Sequence, residues 1–213
     1  MEDAELAVTA VERVGADAVA VDVESPPDFA AQPGQFVKLT LAVDGEDVSR
    51  FYTISSPDVE DTFEITVEID PDGDVGPALA ALEPGDTVRV AGPFGSDYYE
   101  GEDPVVVLAG GPGVGPAVGI AERARDDGHD AVVVYRDADP IHADRIESLR
   151  ERGVTVAVVD SEEGFREAVA SALDEHPAGQ LFVYGFAEFI DAATTAVDAA
   201  GGDTSDAKIE NFG

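Results

Sequence analysis

The stretch P-V-V-V-L-A-G-G-P-G-V-G-P-A-V-G, Pro104 to Gly119, passes from a continuous apolar run through a glycine-rich turn into a helical pattern. Unbroken apolar runs mark strands buried on both faces, as in parallel sheets. Three more follow: A-V-V-V-Y, V-T-V-A-V-V and L-F-V-Y-G. The spacing predicts helices over Pro116–Asp127, His142–Arg152 and Glu163–Glu175, and another, Ala187–Ala200, after the fourth run. That alternation predicts a doubly wound α/β domain with a parallel sheet. Glycines between a buried strand and a helix let the backbone approach a phosphate at the helix N-terminus. They also suit a turn that is merely tight. The text is neither G-x-G-x-x-G nor a Walker loop, and Pro112 and Pro116 lack N–H donors, although Pro116 suits a first helical turn.

Upstream the rhythm is different. E-L-A-V-T-A-V-E, A-V-A-V-D-V-E, F-V-K-L-T-L-A-V, R-F-Y-T-I, F-E-I-T-V-E-I and T-V-R-V-A-G alternate as strands, separated by turns such as Pro33-Gly34, Asp44-Gly45, Asp72-Gly73 and Pro84-Gly85. One short helix, Gly76–Leu82, interrupts the last hairpin. Six strands with few helices predict a small antiparallel barrel. The polar bridge Ser96–Pro104 joins the halves, so the expected domains are residues 1–97 and 98–213.

The 213 residues are long enough to bury a sizeable core without disulfides. The absence of cysteine excludes disulfides, thiolate zinc sites, Cys-held iron–sulfur clusters and a cysteine nucleophile. M-E-D-A-E-L lacks the basic start and apolar block of a secretory signal, and no apolar run approaches the roughly 20 residues of a membrane span. A cytoplasmic protein is expected. The formal charge of −34 disfavours nucleic acid and anionic membranes as partners. Its carboxylates are dispersed, and lysine occurs only at 38 and 208. That composition resembles proteins of salt-loving archaea, where salt screens self-repulsion.

Against that background R-F-Y-T-I-S-S, Arg50 to Ser56, stands out. On a strand Arg50, Tyr52 and Ile54 share a face. A cation and a flat ring side by side suit a ligand with an anionic and an aromatic part; an exposed arginine beside a half-buried tyrosine is the plain alternative. His129, His142 and His176 have no second ligand at metal spacing and read as surface residues. Acid pairs such as Asp126–Asp127 and Glu162–Glu163 read as solvated faces, and no G-x-S-x-G elbow supports Ser55 or Ser56 as a nucleophile.

In order and spacing, R-F-Y-T (Arg50–Thr53), G-P-F-G (Gly92–Gly95), A-G-G-P-G-V-G-P (Ala109–Pro116), Y-G-F (Tyr184–Phe186) and E-N-F-G (Glu210–Gly213) resemble the ferredoxin–NADP reductase superfamily over essentially the whole chain. The fold so implied is an antiparallel FAD-binding barrel followed by a nucleotide-binding α/β domain. The resemblance assigns Arg50 to the FAD pyrophosphate, Tyr52 to one isoalloxazine face and Thr53 to its reactive edge. Phe51, Thr66, Val67, Gly73, Val75, Gly76 and Phe212 complete the implied FAD site. It places Gly110, Gly111, Gly113, Val114, Gly115, Arg136 and Gly185 along a nicotinamide dinucleotide. Thr53, Glu210 and Tyr184 are the implied catalytic candidates, with Glu210 and Phe212 closing over the second flavin face.

Three departures are visible. Gly76 replaces a Ser or Thr usual in G-x-x-[ST]-x-x-L, Glu68 replaces a basic residue, and Y-G-F replaces C-G-P. Asp137, Asp139 and the D-S-E-E of Asp160–Glu163 favour NADH over NADPH, although Arg136 is nearby. The resemblance implies hydride transfer between NAD(P)H and FAD. Electrons would then pass to a separate acceptor: a ferredoxin, an oxygenase component or a small molecule. The alternatives are a flavin-binding electron-transfer or regulatory subunit with an idle nicotinamide site, and a nucleotide-binding module without flavin.

Overall fold

The computed structural model describes residues 3–213. Strands β1 (Ala4–Gly15), β2 (Ala18–Glu24), β3 (Phe36–Val43), β4 (Glu46–Thr53), β5 (Thr62–Glu68) and β6 (Thr87–Phe94) form one antiparallel sheet in the order β4-β3-β6-β1-β2-β5. A bridge between Ile54 and Ile65 joins its two edge strands and closes the barrel. Alternation drives the closure: Val37, Leu39 and Leu41 of β3 point inward to meet Val19, Val21 and Val23 of β2. Strand β2 is buried on its other face as well, where Ala18 joins the core of the second domain. Small alanines there let the α/β domain sit close. The predicted short helix is α1 (Val75–Ala80), one residue earlier at its start and two shorter at its end.

Strands β7 (Val105–Gly110), β8 (Ala131–Arg136), β9 (Thr155–Val159), β10 (Gln180–Gly185) and β11 (Lys208–Asn211) form a parallel sheet in the order β11-β10-β7-β8-β9. Every residue of β7 is buried, yet its two faces serve different cores. Val105, Val107 and Ala109 pack with α2 (Val114–Asp126) and α3 (Ala143–Glu151). Val106 and Leu108 pack with α4 (Glu162–Glu175) and α5 (Ala187–Ala199). The expected β + α/β architecture is present. Beyond the four expected strands a fifth appears, β11, whose K-I-E-N text carries no apolar periodicity; pairing with β10, not propensity, makes it a strand.

The chain order of the sheet reverses between β7 and β10, so a crevice opens beyond their C-terminal ends. The turn after β7, the turn after β10 and the chain end after β11 converge there, facing the end of β4. No helix among the described residues is long and apolar enough to cross a membrane.

Candidate functional site

A cleft of about 340 Å³ lies at this junction. Its barrel wall is Arg50, Phe51, Tyr52 and Thr53 from β4 with Thr66 and Glu68 from β5. Gly73, Val75 and Gly76 form its floor around the start of α1, and Pro112, Pro116, Phe186 and Phe212 form the opposite wall. The sequence separates the outermost of these residues, Arg50 and Phe212, by 162 positions.

Arg50 is the informative side chain. Among the described residues nine of the twelve cations form ion pairs; Arg13, Arg50 and Arg136 do not. Arg50 donates one bond from Nη1, at 2.9 Å, to the Ser49 carbonyl beside it. In a chain of 46 acids an arginine without a carboxylate keeps its fork available for an anion. Arg136 instead lies over the Phe165 and Phe189 rings, 5.3 Å from each centroid, at the C-terminal edge of the sheet and apart from the cleft. Next to Arg50, Tyr52 is half-buried against the barrel core, and burial pushes its phenol up to about 12. It stays a neutral flat surface. Phe51 is 63% exposed and meets Phe36 and Phe94 edge-on, at 5.6 and 6.3 Å.

Thr53 donates to Glu210 Oε1 at 2.9 Å, which joins the cleft wall to β11. Burial, reinforced by Asp97, pushes the Glu210 carboxyl up to about 7, and the Thr53 hydrogen bond opposes this. Glu210 therefore stands behind Thr53 and does not itself line the cleft. Phe212 does, with its N–H on the Gly185 carbonyl at 3.1 Å and its ring edge-on to Phe186 at 6.0 Å.

Several expected roles change. Tyr184 does not reach the cleft: it is fully buried, and its hydroxyl donates to the Asp97 carbonyl at 2.9 Å, tying β10 to the bridge between the sheets. Gly113 and Gly115 do not offer their backbone to the cleft either. A Cβ on Gly113 would overlap the Tyr184 carbonyl, and one on Gly115 would overlap the Thr66 hydroxyl. Close packing of α2 explains both glycines, and Pro112 and Pro116 are the residues that face the ligand space. Gly113→Ala is expected to lower stability by about 3 kcal/mol, the upper range for forced overpacking, readable as a fall in urea midpoint.

Gly110 and Gly185 are small for the same kind of reason, since a Cβ on either would overlap the Phe189 ring. Val114 and Val67 belong to the two cores. Gly111, at φ +56°, turns the chain and lines a smaller hollow with Glu68 and Asp137. A Cβ on Gly76 would stand 3.3 Å from both the Glu68 carbonyl and Ile69 Cα, a tight fit that a side chain there would need small shifts to relieve.

His142 corrects a further expectation. It is buried, not on the surface, in the left-handed region at φ 56°. Its Nε2 lies 2.8 Å from Thr66 Oγ1. Glu68 is the discordant wall residue: burial raises its carboxyl, helped by Asp137, Asp17 and Asp70.

Residues 5–99 match the family of oxidoreductase FAD-binding domains. The barrel half of the chain thus carries the sequence of an oxidoreductase FAD-binding domain. It is 33% identical to the glycine betaine monooxygenase reductase subunit of Chromohalobacter salexigens over 217 positions, covering 89% of this chain and 58% of that protein. It is 42% identical to the flavodoxin/ferredoxin–NADP reductase of Escherichia coli over 98 residues, which cover 44% of this chain and 39% of the relative. The chain thus spans less than two thirds of either relative. Its fold superposes on a ferredoxin–NADP reductase of Neisseria gonorrhoeae, solved with FAD and NADP bound, with a TM-score of 0.84 over all of both chains at 16% identity.

Proposed function

We propose that this reductase-fold chain binds FAD in the cleft, accepts reducing equivalents from a nicotinamide nucleotide, and passes electrons to a separate redox partner. The observation that carries the reading is Arg50, the cation left without a carboxylate at the mouth of an aromatic cleft. The donor set fits the cofactor. Arg50 would take the pyrophosphate, Tyr52 would present its flat face to the ring system, and the Gly76 N–H at the start of α1 would add one donor, Pro77 beside it having none. Phe212 would cover the ring from the other side. Bound FAD supplies two-electron exchange with nicotinamide and one-electron exchange with a partner. Thr53 would orient the ring edge, and Glu210, pushed up to about 7, would exchange a proton near neutral pH.

Pro112, Pro116 and Phe186 would make the nicotinamide-side wall apolar. The ribose end would lie at the hollow lined by Asp137, Asp160 and Ser161 beyond β8 and β9. Among the described residues no cation lines that hollow, which favours NADH over the 2′-phosphate of NADPH. Domains at 1–97 and 98–213 and a saline environment belong to the same proposal. The acceptor is a small redox protein or an oxygenase component of the kind served by the Chromohalobacter relative.

The fluorescence of free FAD, titrated with protein in high salt, tests the reading: saturable quenching at one FAD per chain is expected, and an unquenched titration would refute it. Glu68→Gln is expected to tighten FAD binding roughly fivefold at low salt, because a like charge a few ångströms away in a solvated cleft costs about 1 kcal/mol. The same titration at 2 M salt should show the advantage gone.

A second reading, a flavin-bearing electron-transfer subunit with an idle nicotinamide site, is favoured by Phe186, which is 46% exposed and occupies the nicotinamide-side wall. A yellow protein that neither NADH nor NADPH reduces would support it.

A further inference from the structure

The seam between the barrel and the α/β domain contains a buried guanidinium that no expectation had marked. Arg145, in the first turn of α3, donates from Nη1 to Glu64 Oε1 at 2.6 Å and from Nη2 to the Ser55 carbonyl at 2.7 Å. Nη2 and Nε also donate to the two oxygens of Glu122, at 2.6 and 3.0 Å. Glu64 and Ser55 belong to the barrel, whereas Glu122 belongs to α2. One planar fork thus holds both domains at once, a geometry that lysine cannot reproduce.

The bonds continue to the cleft. Ser55 Oγ donates to the same Glu64 oxygen at 2.8 Å, and Thr66 Oγ1 donates to Ser55 Oγ at 3.1 Å. Each hydroxyl has one proton, so Thr66 has none left for the imidazole and His142 must donate from Nε2. Burial holds His142 down to about 3, so the ring is neutral and its single N–H is committed to Thr66. Every donor in the row His142–Thr66–Ser55 points toward Glu64, where Arg145 closes it. Thr66 also lines the cleft.

We propose that Arg145 is a positioning residue: it holds the Pro112–Pro116–Phe186 wall in register with the Arg50–Thr53 wall, and the row ending at Thr66 carries that register into the cleft. Exposed ion pairs such as Arg166–Glu162 contribute little to such a task. Arg145 differs because both its carboxylates are largely buried with it, and losing it would leave them facing one another without a cation. Its kinetic consequence rests on the reductase reading above; its geometric consequence does not.

The chain has no cysteine, so Glu46→Cys and Glu167→Cys, both exposed, would carry the only spin labels, one on each domain. Pulsed electron–electron distances between them should form one narrow distribution. In Arg145→Met it should widen at least twofold, with Arg145→Lys intermediate. FAD affinity should change less than threefold, since the FAD contacts named above come mainly from the barrel, while the saturating rate of flavin reduction by NADH should fall at least tenfold. An unchanged distance distribution in Arg145→Met, or an FAD affinity that falls as far as the rate, would overturn the proposal. Should Arg145→Met fail to fold, Glu64→Gln removes the charged barrel partner while leaving Arg145 bonded to Glu122, and should widen the distribution in the same sense; no widening there also overturns it. The distances require neither cofactor, so a wild-type protein that NADH cannot reduce would refute the reductase reading while the widening still decided the role of Arg145.

Discussion

Arg50→Met is expected to weaken FAD binding between roughly 10- and 150-fold while leaving the fold intact. The guanidinium makes one hydrogen bond, to a neighbouring carbonyl, and no ion pair among the described residues. Its removal therefore costs the fold little, within about 0.5 kcal/mol for an exposed position. Hydrogen bonds to charged groups contribute about 1.5–3 kcal/mol each, which sets the range for the ligand. Among the described residues the cleft offers no substitute: the other charged residues lining it are Glu68, Asp70 and Asp74. Arg50→Lys should recover part of the affinity as a point charge without the fork. Equilibrium FAD titration with the melting temperature as control checks this, and an Arg50→Met variant with native affinity would remove the basis of the site assignment.

Glu210→Gln should change both stability and chemistry, and its sign with pH is fixed. The folded protein holds the Glu210 proton up to about pH 7, from an ordinary value of 4.5. Between those values the folded state binds more protons than the unfolded one, so this group's contribution to stability falls as pH rises. Below about 4.5 both states are protonated and the penalty is absent; above about 7 both are ionised and it is complete. A shift of this size corresponds to ~3 kcal/mol. Glutamine keeps the oxygen that accepts from Thr53 and cannot ionise, so the variant should exceed the wild type in stability by up to that amount at pH 8, and match it near pH 4.5. Urea unfolding at the two pH values reads the difference directly. The rate of flavin reduction in the variant should drop about tenfold and lose its inflection near pH 7, because the carboxyl behind Thr53 can no longer take or return a proton.

Much of this architecture was legible because apolar patterning and rare residue types carry it. The period-2 strands of the barrel, the unbroken runs of β7 and β8, and Arg50 beside Tyr52 could be read from text alone. What escaped reading depends on tertiary contact. Strand β11 exists only because β10 offers it an edge. Gly113 and Gly115 read as phosphate turn residues, but backbone and hydroxyl neighbours far away in sequence are what require their smallness. Tyr184, which the resemblance had made a catalytic candidate, turns inward to a carbonyl of the domain bridge. His142 looked like a surface residue at a helix start, yet His142, Ile146 and Leu149 stand at i, i+4 and i+7, the spacing of one buried helix stripe. That stripe was the available signal for His142. For Arg145, beside it, there was none, since its two glutamate partners lie 81 and 23 residues away.

Anaerobic mixing of the FAD-loaded protein with NADH, followed at the flavin absorption band in high salt, tests the central claim most directly. Rapid, complete bleaching is expected, faster with NADH than with NADPH. A protein that binds FAD and keeps its yellow colour with both nucleotides would contradict it.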